Sequence, residues 1–304
     1  MKILIACSTN SGHIAPFILE QVDGLKGVGV EVDYFTIQGK GITGYLRNYK
    51  RFVDTIDQFK PDIIHAHYGL SGLFANLQRK VPVVTTYHGS DINTPTVYPF
   101  SRLCMMLSTH NIFVSEKIRF KSGSKRNYSV IPCGVDIQLF QPMDKLQARE
   151  ELELDKTLSY VLFAGAFQNT VKNAKLALDA VALLDDVKLL ELKGYSREQV
   201  VTLMHAVDAV LLTSFTEGSP QFIKEAMACN CPIVSVPAGD VPEVIKDTEG
   251  CCITTYDPFD VSGKLCMALL DKKRSTGRKR ILKLKLDSVS IAKRILEVYK
   301  KVMM

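Results

Sequence analysis

Several features are missing from this 304-residue chain, and each absence removes a class of protein. No apolar run approaches the ~18 residues that a membrane-spanning helix needs. The N-terminus, MKILIACSTN, holds only the short apolar run ILIAC. That is too brief for the core of a secretory signal and reads better as a first buried strand, so a cytoplasmic address is the expectation. None of the eight cysteines forms a C-x-x-C pair, and most sit in apolar stretches such as MACNCPIVSV. A zinc site would need two spaced ligand pairs, so the cysteines read as free, buried, small hydrophobes. Tandem repeats and low-complexity segments are absent. So is any nucleic-acid-binding module, and a net charge of +6 is modest for this length. No nucleic-acid partner is expected.

What remains is a soluble globular composition, 46% hydrophobic and 23% charged. Short β-branched runs alternate with amphipathic helical stretches. The first series of strands is KILIA, VEVDYFTI, DIIHAHY, VPVVTTYH and NIFVS; the second is SYVLFAGA, VKLLEL, AVLLTS, CPIVSV and CCITT. Apolar strands separated by amphipathic helices predict parallel sheets covered on both faces, and two series predict two α/β domains. The break is expected at the polar stretch LFQPMDKLQARE. One domain would span 1–140 and regain a C-terminal helix at 288–304; the other would span 149–287. The tail places Ile291, Ile295, Val298 and Val302 on one helical face.

Charge is unevenly spread. Residues 1–140 carry 15 Lys and Arg against 10 acids, 141–270 carry 11 against 19, and 271–304 carry 12 against 3. The first part includes Lys117, Arg119, Lys121, Lys125 and Arg126 with no acid among them, and Arg47, Lys50 and Arg51 beside an apolar stripe of Tyr45, Tyr49, Phe52 and Ile56. A solvated face is the plain reading; attraction to an anionic membrane surface or acceptor is the sharper one.

The densest constellation is TEGSPQFIKEAMACNCPIVSV. Gly218 permits close backbone approach, Ser219 is a good N-cap and Pro220 suits the first helical position. The helix start offers backbone N–H groups and the positive end of a dipole, which suit an anion. Glu217 stands in the loop there, and Glu225 lies about 1.5 turns inside the helix, where a vicinal diol could donate to its oxygens. As an isolated spacing, Glu217 could equally serve only the dipole and Glu225 be a surface acid.

Context adds weight. The segment resembles the donor-site signature of the retaining GT-B nucleotide-sugar glycosyltransferases of family 4. SGHIAPF, PDIIHAHY, TTYHGSD, VIPCGVDIQLFQP, FAGAFQNTVKNAKLALDAV and SVPAGDVPEVI resemble further segments of that family in the right order, over nearly the whole chain. The resemblance implies a GT-B fold, two Rossmann-like domains facing across a cleft, with the last helix returning to the first domain. It implies that Glu217 sits near the transferred sugar, that Gly218 and Ser219 present N–H groups to sugar and phosphates, and that Glu225 holds the ribose. Lys172 matches a lysine that neutralises the departing diphosphate, and His88 a histidine touching the transferred sugar. Gly12 matches a glycine that lets the first loop approach the phosphates, with His13 beside it on the acceptor side. One departure stands out: the arginine usual after the glycine matching Gly165 is replaced by Ala166.

No two aspartates are spaced i, i+2, so the D-x-D metal motif is absent. Stabilisation of the leaving group by helix dipole and Lys172, without metal or cofactor, is the expectation. His65 and His67 point to one side of a strand and read as structural or cleft-lining. Gly39, Gly41 and Gly44 fit G-x-G-x-x-G, but they follow the second strand; a flexible acceptor-side loop is expected in place of a dinucleotide site. The function that follows is transfer of a sugar from a nucleotide-diphosphate donor to a glycan or lipid-linked glycan in cell-surface polysaccharide synthesis. A sugar-nucleotide epimerase, a phosphorylase and a non-catalytic binding protein remain alternatives.

Overall fold

The computed structural model describes residues 1–304 and divides into two compact α/β units. The first comprises Met1–Gly134 and Ser288–Met304, the second Val135–Asp287. The polar stretch expected to part them belongs to the second unit. Phe140 is fully buried there, Val135 bridges Asp287, and Asp144 caps a helix at Lys145–Glu151 by accepting from the N–H groups of Leu146 and Gln147. That helix buries only Ala148 and Arg149, the latter ion-paired with Asp208, so it shows no apolar stripe in the sequence.

The first unit carries six parallel strands: β1 (Lys2–Ser8), β2 (Glu31–Ile37), β3 (Ile63–His67), β4 (Val83–Tyr87), β5 (His110–Phe113) and β6 (Tyr128–Val130). Their order is β2-β1-β3-β4-β5-β6. β3 and β4 are buried along their whole length although each carries two polar residues, His65 and His67 in one and Thr85 and Thr86 in the other. β6 escapes a sequence reading because it is three half-buried residues long. Helix Ser288–Met303 packs in this unit against helix Pro16–Gly27, where a Cβ on Gly24 would meet the Ser288 carbonyl at 3.0 Å.

The stretch after β2 reads in the sequence as a flexible glycine loop followed by an apolar stripe that places Tyr45, Tyr49, Phe52 and Ile56 on one helical face. It forms two helices, Gly41–Leu46 and Tyr49–Phe59, broken at Asn48, whose amide donates to the carbonyls of Gln38 and Gly44. The loop is pinned, not free. Asn10 exchanges two hydrogen bonds with Gly39, and a Cβ on Gly39 would fall 2.9 Å from the Gly44 Cα. The glycines thus serve a close backbone crossing. Tyr45, Tyr49, Phe52 and Ile56 do share one face, packed on the sheet. Arg51 is not a free surface cation: it donates to the Thr36 carbonyl and lies 4.7 Å over the Phe35 ring.

The second unit carries β7 (Ser159–Phe163), β8 (Val187–Glu191), β9 (Ala209–Leu212), β10 (Ile233–Ser235) and β11 (Cys251–Ile253), all parallel, in the order β8-β7-β9-β10-β11. In both sheets the first strand lies between the second and the third. Connections therefore leave in opposite directions at β1/β3 and at β7/β9, which opens a crevice at the carboxyl ends of those strands. All eight cysteines are free, and five are buried. No helix is long and apolar enough to cross a membrane.

Candidate functional site

In the second unit the crevice collects most of the residues singled out from sequence. Gly165 follows β7 with φ +155°, and a Cβ there would lie 3.0 Å from Cγ and 3.3 Å from Cε of Lys172. The lysine's aliphatic chain thus lies across the glycine. Its backbone is held by the Thr213 hydroxyl, just past β9, which donates to the carbonyls of Lys172 (2.9 Å) and Asn173 (3.0 Å). The Phe215 N–H donates to the Val171 carbonyl at 3.0 Å. So anchored, the Lys172 Nζ ends 2.7 Å from Oε1 of Glu217. The Glu217–Gly218 loop is clamped from its other side by Gly239 (φ +59°), where a Cβ would meet the Gly218 carbonyl at 2.9 Å and the Glu217 Cβ at 3.0 Å. Only glycine fits there.

Helix Gln221–Ala228 follows. The expected cap is corrected by one residue. Pro220, with ψ 119°, is itself the N-cap and Gln221 the first helical residue, so Ser219 lies one position too early to reach the helix N–H groups. No side chain caps this helix start. The Ser219 hydroxyl is buried, and so is the Asp240 carboxyl beside it, which burial pushes up from its ordinary value while Lys224 opposes. Glu225 is not a surface acid. It is 4% exposed and accepts a 2.7 Å hydrogen bond from Arg197, whose guanidinium also lies 4.9 Å over the Phe140 ring. Sequence reasoning missed Arg197. Its signal was the S-R-E-Q run after β8, which forms a capping box between Ser196 and Gln199. This arginine supplies a cation in the unit where Ala166 lacks one.

The first unit holds the remaining residues. Gly12 (φ +95°) closes a tight turn after β1 by donating to the Thr9 carbonyl at 2.9 Å, and it and His13 are exposed. His88 follows β4. Its ring lies 4.7 Å from Phe17 and 4.7 Å from Tyr68, and its Nε2 is 3.0 Å from Nδ1 of His67. His65, His67 and His88 form a stacked row, with His65 bonded to the Tyr299 hydroxyl at 2.5 Å and to Thr86 at 2.7 Å. Burial pushes His67 down to about 3 and lowers His65 as well, so both are neutral. No three His, Cys, Asp or Glu side chains converge to hold a metal ion.

Two residues here were not foreseen. Tyr68, at the carboxyl end of β3, has φ +71° and ψ 147°, a conformation costly for any residue with a Cβ. Asp91 is buried and accepts from the N–H groups of Gly89 (2.9 Å) and Gly69 (3.2 Å), and burial raises it to about 6 despite those bonds. Both line a 230 Å³ pocket walled by the hydroxyl-bearing Ser8, Tyr45, Ser71 and Ser90. It opens at the carboxyl ends of β1, β3 and β4, and Leu70 and Val97 make part of its wall apolar.

Comparison with known proteins follows the same division. Residues 12–139 match the model of Glycosyltransferase Family 4, and residues 187–281 that of Glycosyl transferases group 1. The chain belongs to glycosyltransferase family 4. Its fold is GT-B: this family 4 chain superposes on the sucrose-phosphate synthase of Thermosynechococcus elongatus with a TM-score of 0.85, at 16% identity and over 99% of this chain and 98% of that one. HepE of Anabaena, solved in complex with UDP, gives a TM-score of 0.78 at 19% identity, over 99% and 100%. Among curated relatives, a D-inositol 3-phosphate glycosyltransferase of Mycolicibacterium vanbaalenii is 25% identical over 68% of this chain and 59% of its own length. That of Mycobacterium marinum is 26% identical over 64% and 53%. The family 4 chain therefore spans between half and two thirds of the length of these relatives.

Proposed function

We propose that this chain is a glycosyltransferase that moves a sugar from a nucleotide-diphosphate donor to a hydroxyl of a glycan or lipid-linked glycan, with retention of anomeric configuration. The observation that carries the reading is the arrangement at the β7/β9 crevice. A glycine-backed lysine, an acid paired with it, and a helix start that no side chain caps stand together where α/β sheets bind ligands.

Breaking a sugar–diphosphate bond builds negative charge on the leaving oxygen. Lys172 and the N–H dipoles of Gly218, Ser219 and the helix start would stabilise that charge. Glu217 holds Lys172 in the absence of donor and would take up hydroxyls of the sugar once the lysine turns to phosphate. Glu225 would accept from the ribose diol, and Arg197 would add the cation missing at Ala166. The acceptor would lie in the first unit, near His13 and the pocket that Tyr68 and Asp91 line. The acceptor hydroxyl would attack from the face that the diphosphate leaves and hand its proton to the leaving phosphate, so the reading needs neither an enzymic nucleophile nor a separate base; it also uses no metal. The cations of 117–126, with Phe120 and Met106 exposed nearby in the chain, support contact with an anionic membrane at its cytoplasmic face and a role in cell-surface polysaccharide synthesis.

A second reading, a binding protein without turnover, draws on Ala166. Both are tested by first screening nucleotide sugars for thermal stabilisation and then incubating the stabilising one, radiolabelled in the sugar, with candidate acceptors. Transfer of label to an acceptor supports the first reading. Nucleotide binding with unchanged donor supports the second; an altered sugar without acceptor, or a requirement for free phosphate, indicates an epimerase or a phosphorylase.

A further inference from the structure

A separate opening of about 590 Å³ lies on the second unit beside these groups. Two near-parallel aromatic rings form one wall, Phe215 and Tyr256, with centroids 6.2 Å apart and planes 14° apart. They are 63% and 45% exposed. Leaving two large rings in water is unfavourable, and here they are also fixed in place. The Tyr256 hydroxyl donates to the Ser214 carbonyl at 3.0 Å, and the backbone of Phe215 is tied to Val171. The hydroxyl is thus spent on positioning, and both rings stay exposed where they line the opening. Leu176 and Asn173 also line it, together with Lys175 and Asp179, an ion pair one helical turn apart at 2.7 Å.

An exposed aromatic pair joined to paired donors and acceptors matches one ligand chemistry closely. A pyranose ring has an apolar face of C–H bonds and a rim of hydroxyls; the first packs on an aromatic plane while the second bonds to ammonium, carboxylate and amide groups. We propose that this opening is a second carbohydrate subsite, distinct from the Lys172–Glu217 crevice, that holds one pyranose ring of a glycan. Asn173 directly follows Lys172, and Phe215 precedes Glu217 by two residues, so the same two loops serve both places. Assigning that ring to the acceptor chain rests on the transfer reading; the binding of a sugar ring does not.

The chain contains no tryptophan, so Phe215→Trp puts a single reporter in the wall. Titrated with maltotriose and separately with cellotriose, this variant is expected to show a saturable emission change with at least one. Because the reporter alters the wall itself, the wild-type chain is read in parallel by saturation-transfer NMR with the same sugars. Transfer is expected in the wild type and in Phe215→Tyr, and a fall of about 3–10-fold in Phe215→Ala, the scale of losing one aromatic contact. No response to either sugar, or equal transfer in Phe215→Ala, overturns the proposal. An emission change with UDP that the sugars compete away also overturns it, by giving the wall to a nucleobase. Calorimetry with UDP, GDP and ADP on the same proteins separates the two readings. Binding of any of these nucleotides without a sugar response discards the subsite alone; a sugar response without binding of any of them discards the donor reading alone.

Discussion

The Nζ of Lys172 lies 2.7 Å from Oε1 of Glu217, although the two residues are 45 positions apart and neither belongs to a regular strand. Loops after β7 and β9 bring them together, one backed by Gly165 and the other clamped by Gly239. The pair is three-quarters or more buried, so the lysine's charge is held ready by its partner instead of by water. Lys172→Ala is expected to lower turnover roughly 10–1000-fold, the scale of losing a preorganised charge-stabilising group. The effect should fall on kcat more than on KM. Wild-type turnover in this variant removes Lys172 from the mechanism.

Gly165→Ala tests the same lysine from its supporting side. The new Cβ would stand 3.0 Å from Lys172 Cγ in a backbone conformation that L side chains rarely adopt. The lysine should shift while the fold survives. Turnover is expected to fall about 10–100-fold, as it does when a reacting group is misplaced by an ångström, with an unchanged circular dichroism spectrum. Full activity would show that the lysine does not need this support.

How much of this was legible in the sequence depends on the kind of signal. Central parallel strands are buried and write themselves as apolar runs, while the half-exposed β2, β8 and β11 keep enough β-branched and apolar residues to follow, so ten of the eleven strands could be read from KILIA to CCITT; β6 at Tyr128–Val130 was too short. Glu217 and Gly218 stood out from the pattern of a helix start, and Lys172 only through the family resemblance. Other features have no local signature. The role of Gly239 is visible only once its loop is folded against Glu217, the strained backbone of Tyr68 leaves no mark in composition, and the Arg197–Glu225 pair joins residues 28 apart. The helix at Lys145–Glu151 was hidden because its buried face is made of an alanine and an arginine.

That last pair gives Glu225 a structural task as well as the proposed one. Glu225→Ala leaves Arg197 without its buried partner and is expected to destabilise the chain by about 1–3 kcal/mol while weakening UDP binding. Glu225→Gln keeps a hydrogen-bond acceptor toward Arg197. It should recover most of the melting temperature but bind UDP more weakly than wild type, because a neutral amide is a poorer acceptor for a diol than a carboxylate. Unchanged UDP affinity by calorimetry in both variants contradicts the ribose assignment.

The buried histidine row predicts acid sensitivity. His67 has a folded value of about 3 against an ordinary 6.5, so the unfolded chain takes up its proton first. Its contribution is present above pH 6.5 and is lost as pH falls toward 3; at pH 5 the loss is on the order of 2 kcal/mol. His65 moves in the same direction. Asp91 opposes them: its folded value of about 6 lies above 3.8, so its contribution is present below 3.8 and is lost as pH rises through 6. Two fully buried histidines outweigh one carboxyl, and the melting temperature should fall between pH 7 and pH 5. A flat or rising profile contradicts this, and Asp91→Asn should steepen the fall.

A crystal structure of this chain with UDP shows where the phosphates sit. They are expected at the start of helix Gln221–Ala228, with the Lys172 ammonium turned from Glu217 onto a phosphate oxygen and the ribose hydroxyls on Glu225. A diphosphate bound elsewhere on the second unit, with the Lys172–Glu217 pair intact, would contradict the account.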